Sequence, residues 1–98
     1  MKENNLIVEK SYRFALRIVK LYSHLVETKK EYKLSGQILS SGTSIGANIE
    51  EAMGGSSRRE FKSKLDISYR EARETRYWLR LLRDSDWLEK KISGISIK

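Results

Sequence analysis

The sequence predicts an all-α fold of three long helices with the start of a truncated fourth, and three observations carry that prediction. No proline occurs in 98 residues, 34% of the residues are charged, and glycine is confined to six positions. This is the composition of long helices joined by short turns rather than of a sandwich or barrel. Apolar residues recur at steps of three and four along most of the chain, and a capping-box pair precedes the longest of these runs. A chain this short buries only about 60 to 65% of its unfolded surface, so it forms one domain, residues 1–98.

The first helix is expected over about 5–29. Phe14, Ile18, Leu21 and Leu25 follow one another at steps of four, three and four, with Ile7 a heptad before Phe14, and together they form one face. Tyr12, Leu16, Val19 and Val26 lie on a neighbouring face, which makes the apolar surface broad enough to meet two partners. Lys29 to Lys33 read as a charged break. A second pattern, Leu34, Ile38, Leu39, Ile45, Ile49, Ala52 and Met53, gives a helix over 34–53. Its middle, Ser40 to Asn48, is made of weak helix formers, each glycine costing up to about 1 kcal/mol relative to alanine. Gly42 and Gly46 are four apart and share a face, where missing side chains let another backbone come close. They do not form a phosphate-binding P-loop, which needs a Gly-Lys-Ser/Thr sequence after a strand.

Gly54-Gly55-Ser56 is a turn, and Ser57 with Glu60 three residues on is a capping box that opens the third helix, 57–83. Phe61, Leu65, Ser68, Ala72, Thr75, Leu79 and Leu82 then run at four-three spacing, and the small members at its centre leave room for a close neighbour. Asp86 and Glu89 repeat the capping pattern, so Trp87, Leu88 and Ile92 read as the stub of a fourth helix.

Catalysis and metal binding find little support. There is no cysteine, and His24 is the single histidine, so a zinc site would need mostly carboxylates. Glu50 and Glu51 diverge by roughly 100° on a helix and cannot face one another as acid and base. Glu71 and Glu74 lack the Glu-x-x-His partner of a di-metal bundle site. The expectation is a protein that is not an enzyme, with no cofactor, no metal and no small-molecule substrate. No run of about 18 apolar residues or apolar leader is present, so a cytoplasmic protein with no membrane span is expected.

The net charge of +7 favours polyanionic partners, RNA or DNA, with a merely solvated surface as the plainer alternative. At about 100° per residue, Arg58, Lys62, Arg73, Arg76, Arg80 and Arg83 fall within a band roughly 80° wide on the third helix, with Tyr69 inside it. Arginine stripes suit phosphates, and a tyrosine among them can stack on a base. Asp66 interrupts the band, and Glu71 and Glu74 stand at spacings that can neutralise part of it. An acidic protein docking on the same face is the alternative. Ile67, Trp78 and Leu81 form a further apolar strip, expected to make a subunit contact.

The run Ser41-Gly42-Thr43-Ser44-Ile45-Gly46-Ala47-Asn48-Ile49-Glu50-Glu51-Ala52, followed by Arg59-Glu60-Phe61 and by Glu71-Ala72-Arg73-Glu74-Thr75 before Trp78-Leu79, resembles the 23S rRNA-intervening-sequence proteins, a bacterial family also called four-helix-bundle proteins. The resemblance runs from about Ser11 to Leu88. It implies an antiparallel up-down bundle of the four-helix type, commonly a homopentamer. It extends to the accessory variability protein of diversity-generating retroelements, a basic pentamer that binds nucleic acid and a reverse transcriptase. Ser44, Ile45, Ala47 and Asn48 match the family's second-helix motif, which looks structural, and no catalytic residue is carried over. Relatives continue through a fourth helix some twenty residues longer, a departure that bears on both the complete bundle and the pentamer.

Overall fold

The computed structural model describes residues 2–87, and all the regular structure among them is helical: α1 (Lys2–Glu27), α2 (Leu34–Met53) and α3 (Arg58–Asp84). At 1.5 Å per residue α1 and α3 are about 40 Å long and α2 about 30 Å. α1 ends two residues before its expected limit, where Lys30 turns the chain with a left-handed φ of 58° and Glu31 N–H reaches back to Leu25 O at 2.8 Å.

The charged break between α1 and α2 is a cap. Lys33 makes no side-chain cap bond, yet the first turn of α2 is satisfied from two residues upstream. Glu31, 5% exposed, accepts from Leu34 N (2.8 Å) and Lys33 N (3.2 Å) on Oε2 and from Ser35 N (2.7 Å) on Oε1. Ser35 Oγ returns a bond to Glu31 O at 2.9 Å. A carboxylate at a helix start gains both hydrogen bonds and the favourable end of the macrodipole. Glu31→Ala strips three donors of their acceptor, and a loss of about 2 kcal/mol is expected, measured as a lowered Tm at unchanged pH. An unchanged Tm would mean that water replaces the carboxylate at no cost.

At the start of α3, Ser57 adopts an extended φ of −143° and its Oγ accepts from Glu60 N at 3.0 Å. Glu60 Oε1 closes the box one residue further back than the motif implies, on Ser56 N at 3.0 Å.

α2 is the middle helix. It packs along α1 on one side and α3 on the other, while α1 and α3 approach each other little. Ile18, Leu25, Ile38 and Leu82 form the buried cluster, with Phe14, Leu21, Leu34, Leu39, Trp78 and Leu79 packed against it. On the α1 side the two glycines of α2 set the approach. A Cβ built on Gly42 would stand 2.8 Å from Ile18 Cγ1, and one on Gly46 would stand 3.3 Å from the Ser11 backbone oxygen. On the α3 side the helices are joined by hydroxyls. Ser68 Oγ donates to Ile45 O at 2.9 Å. Thr75 Oγ1 lies 2.8 Å from Ser41 Oγ and 2.7 Å from Glu71 O, and Ser41 in turn donates to Gln37 O. Small side chains bring the helices close, and each buried hydroxyl has an acceptor, as burial demands.

Two apolar surfaces stay open. Tyr12, Leu16 and Val19 on α1 are 60, 46 and 43% exposed and Val26 is half-buried, so most of the second face of that helix stays open among the described residues. Between α1 and α3 runs a groove of about 550 Å³ whose floor and walls include Phe14, Ile45, Ala72, Thr75 and Leu79. The expected stub from Leu88 onward lies outside the described residues. Asp86, read as its N-cap, has a left-handed φ of 69° rather than the extended backbone of a cap.

Candidate nucleic-acid interface

The outer face of α3 is where the basic residues gather. Arg58, Lys62, Tyr69, Arg73, Arg76, Arg80 and Arg83 are all exposed, on a flank of the helix roughly 100° around from the side that carries Ser68, Thr75 and Leu82 into α2 and the core. Arg59, Arg70 and Tyr77 are exposed as well. The 80° band excludes these three, but in a helix covered on one side only, the solvent face is about twice that wide. Near the N-terminal end, Arg58, Arg59, Lys62, Ser63, Asp66 and Arg70 border a shallow concavity. At the C-terminal end, Arg76, Arg80 and Arg83 form the rim of the apolar groove.

Neutralisation is lighter than the acidic spacing suggests. Lys62 pairs with Asp66 at 3.1 Å, and Arg83 Nε with Asp84 at 2.7 Å. The hydrogen bond from Arg83 holds the Asp84 carboxyl below its ordinary value, with the Arg83 and Arg80 charges adding to the effect. Glu74, at the right spacing for an arginine, instead accepts the indole N–H of Trp78 at 3.0 Å. Among the described residues no carboxylate is paired with Arg58, Arg59, Arg70, Arg73, Arg76 or Arg80. The Arg73 guanidinium stands 5.9 Å from the centre of the Tyr69 ring, in the range of a cation–π interaction.

The remaining candidates sit elsewhere. Gly42 and Gly46 are buried at the α1 crossing, Ser44 and Asn48 bond along their own helix, Ile45 is half-buried under α3, and Ala47 is exposed. Of the strip read as a subunit contact, Ile67 and Trp78 are half-buried, Trp78 packing against the core cluster, and only Leu81 is open, at 38%. Lys64 ties α3 to α2 through Glu51 at 2.7 Å, a bond that raises the lysine pKa above its usual value. His24 is half-buried with Nε2 lacking a hydrogen-bond partner, and no group of three or more His, Cys, Asp or Glu among the described residues is placed to hold a metal.

The family profile of the 23S rRNA-intervening sequence proteins matches residues 3–95. The chain belongs to that family. A crystal structure of a protein of unknown function from the S23 ribosomal protein family of Bacteroides thetaiotaomicron superposes with a TM-score of 0.88 at 49% identity, covering 99% of this chain and 85% of that one. Comparison with curated proteins finds no match. For this 23S rRNA-intervening sequence protein, the resemblance read from the Ser41 to Ala52 run is therefore a family relation. It fixes an all-α, three-helix fold over the described residues, in which no helix is long and apolar enough to cross a membrane.

Proposed function

We propose that this family member is a non-catalytic, oligomeric scaffold of the bacterial cytoplasm that binds nucleic acid through the outer face of α3. The observation that carries the reading is the set of arginines that form no salt bridge. Arg58, Arg59, Arg70, Arg73, Arg76 and Arg80 share one exposed face of one helix with no salt bridge to a carboxylate among the described residues, the Arg80 charge acting on Asp84 from longer range. Long side chains whose charges are not engaged in intrachain pairs are available to meet phosphates, at the gain of released counterions. The open face Tyr12, Leu16 and Val19 and the exposed Leu81 support assembly with further copies, a pentamer by family resemblance. The groove over Phe14 and Leu79 has the form of a seat for one more helix, which would complete an up-down bundle of the four-helix type.

The test is a fluorescence-anisotropy titration of the purified protein with RNA, single-stranded DNA and duplex DNA at several salt concentrations. A phosphate-driven complex loses affinity linearly on a log–log plot, by about 0.7 to 0.9 per phosphate neutralised, with unrelated sequences behaving alike. The absence of binding at low salt would remove the reading. The second reading, an adaptor for an acidic protein, is favoured by the apolar groove with Arg76, Arg80 and Arg83 on its rim, a combination that suits an amphipathic helix with an acidic edge. It would show itself as one stoichiometric protein partner and no general affinity for nucleic acid.

A further inference from the structure

We infer that the basic face is built for single-stranded nucleic acid, with bases stacking on a Tyr69–Arg73–Tyr77 row; the inference rests on the nucleic-acid reading above. The three residues are spaced four apart, so they form one diagonal row on the outer face of α3 and rise about 6 Å at each step. Tyr69 is 64% exposed and Tyr77 52% exposed, an unusual amount of aromatic surface beside arginines that have no intrachain carboxylate among the described residues. Both rings are braced by neighbours. The Arg73 guanidinium sits 5.9 Å from the Tyr69 ring centre. Tyr77 and Trp78 pack in a T-shaped contact with ring centres 5.3 Å apart at 69°, and Trp78 is itself held by Glu74 and by its packing on the core. A ring with restricted motion loses less entropy when a base settles on it.

The two tyrosines are about 12 Å apart along the helix, against about 3.4 Å between stacked bases, so they cannot sandwich one base and each takes its own. Arg73 lies midway, with a planar cation that either stacks or bonds a phosphate. Arg70, Arg76 and Arg80 flank the row and are exposed, in reach of the backbone that joins the stacked bases. A duplex offers this row little, because its base faces are already stacked on one another and only phosphates and groove edges remain accessible. The ligand that uses both the rings and the charges is a strand with unpaired bases, RNA or DNA, read without a sequence code.

The experiment titrates oligothymidylate, oligouridylate, a mixed-sequence duplex and an abasic strand, all of one length, into wild type, Tyr69→Ala/Tyr77→Ala and Tyr69→Phe/Tyr77→Phe, with circular dichroism to confirm equal helicity. Both single strands are expected to bind on the order of ten-fold or more tighter than the duplex and the abasic strand. The alanine pair should erase that difference while leaving the salt slope unchanged, and the phenylalanine pair should keep it. An oligodeoxyuridylate of the same length, which differs from oligouridylate in the sugar alone, assigns RNA or DNA. Equal affinity for duplex and single strand, or an alanine pair that binds like wild type, overturns the stacking row and leaves the basic face intact. If none of the four ligands binds wild type at low salt, the basic face itself falls, and the stacking row with it.

Discussion

Gly42→Leu lowers the stability of the protein by roughly 2 to 3 kcal/mol, a fall of about 10 °C or more in Tm for a domain of this size. The Cβ alone would lie 2.8 Å from Ile18 Cγ1 and 2.9 Å from Ile18 Cγ2. Ile18 is 3% exposed, and its β-branched side chain has few rotamers to move into. The clash is therefore relieved by separating α1 from α2, which opens the packing around Leu25 and Ile38, or by distorting Ile18 itself. Overpacking of this kind costs about 1 to 3 kcal/mol and at times more. The opposing gain in helix propensity is at most about 1 kcal/mol. An internal control exists in the same helix, since a Cβ on Gly36 would meet nothing within 4 Å. Gly36→Ala gains the propensity without the clash and raises Tm. Equal stability of wild type and Gly42→Leu by thermal melting would mean that the helices separate freely and that the glycine is not what sets their approach.

Replacing Arg73, Arg76 and Arg80 together with glutamine weakens binding to every nucleic-acid sequence alike and leaves helicity and assembly unchanged. All three side chains are exposed and none is tied to a carboxylate among the described residues, so glutamine removes charge without leaving a buried partner stranded. Every phosphate that is no longer neutralised lowers the slope of log affinity against log salt by about one unit per bound chain. A full effect of the triple variant is thus a slope reduced by about three, with affinities converging on wild type at high salt, where charge contributes least. In an oligomer that engages one strand with several subunits the weakening is multiplied. Anisotropy titrations at several salt concentrations, with sedimentation to verify the size of the assembly, read both quantities. Unchanged slopes would exclude this part of α3 and turn attention to the Arg58, Arg59, Lys62 and Arg70 concavity.

Much of the fold is legible in the sequence because each element carries its own signal. The four-three spacing from Phe61 to Leu82 names the residues that α3 turns inward, and the small members of that seam, Ser68 and Thr75, are the ones whose hydroxyls bond across to α2. The role of Glu31 is hidden by its neighbours. Among Lys29, Lys30 and Lys33 it reads as one more surface charge, because the usual helix-start signals put the acid after the cap residue, whereas Glu31 lies two residues before it. Angular position places Trp78 on an exposed strip, because it cannot tell how far a large ring leans. In the structure its indole reaches both the core cluster and Glu74. On the candidate interface, charge is readable residue by residue, whereas the membership of Tyr77 and Arg70 is not. It depends on how wide a face α2 leaves uncovered, which is a property of packing and not of spacing.

The central position of α2 also bears on how the chain acquires its structure. The packing between helices joins α1 to α2 and α2 to α3, neighbours in sequence linked by turns of a few residues. Contacts near each turn close short loops first, and pairs at the far ends of a hairpin, such as Ser41 with Thr75, follow once the turn has brought the helices together. Helix pairs closed by short turns are the topology expected to fold fast, and single-phase refolding within milliseconds by stopped-flow would bear this out. Both hairpins share α2, so substitutions along its two packed flanks are expected to change the folding rate more than substitutions on the exposed face of α3.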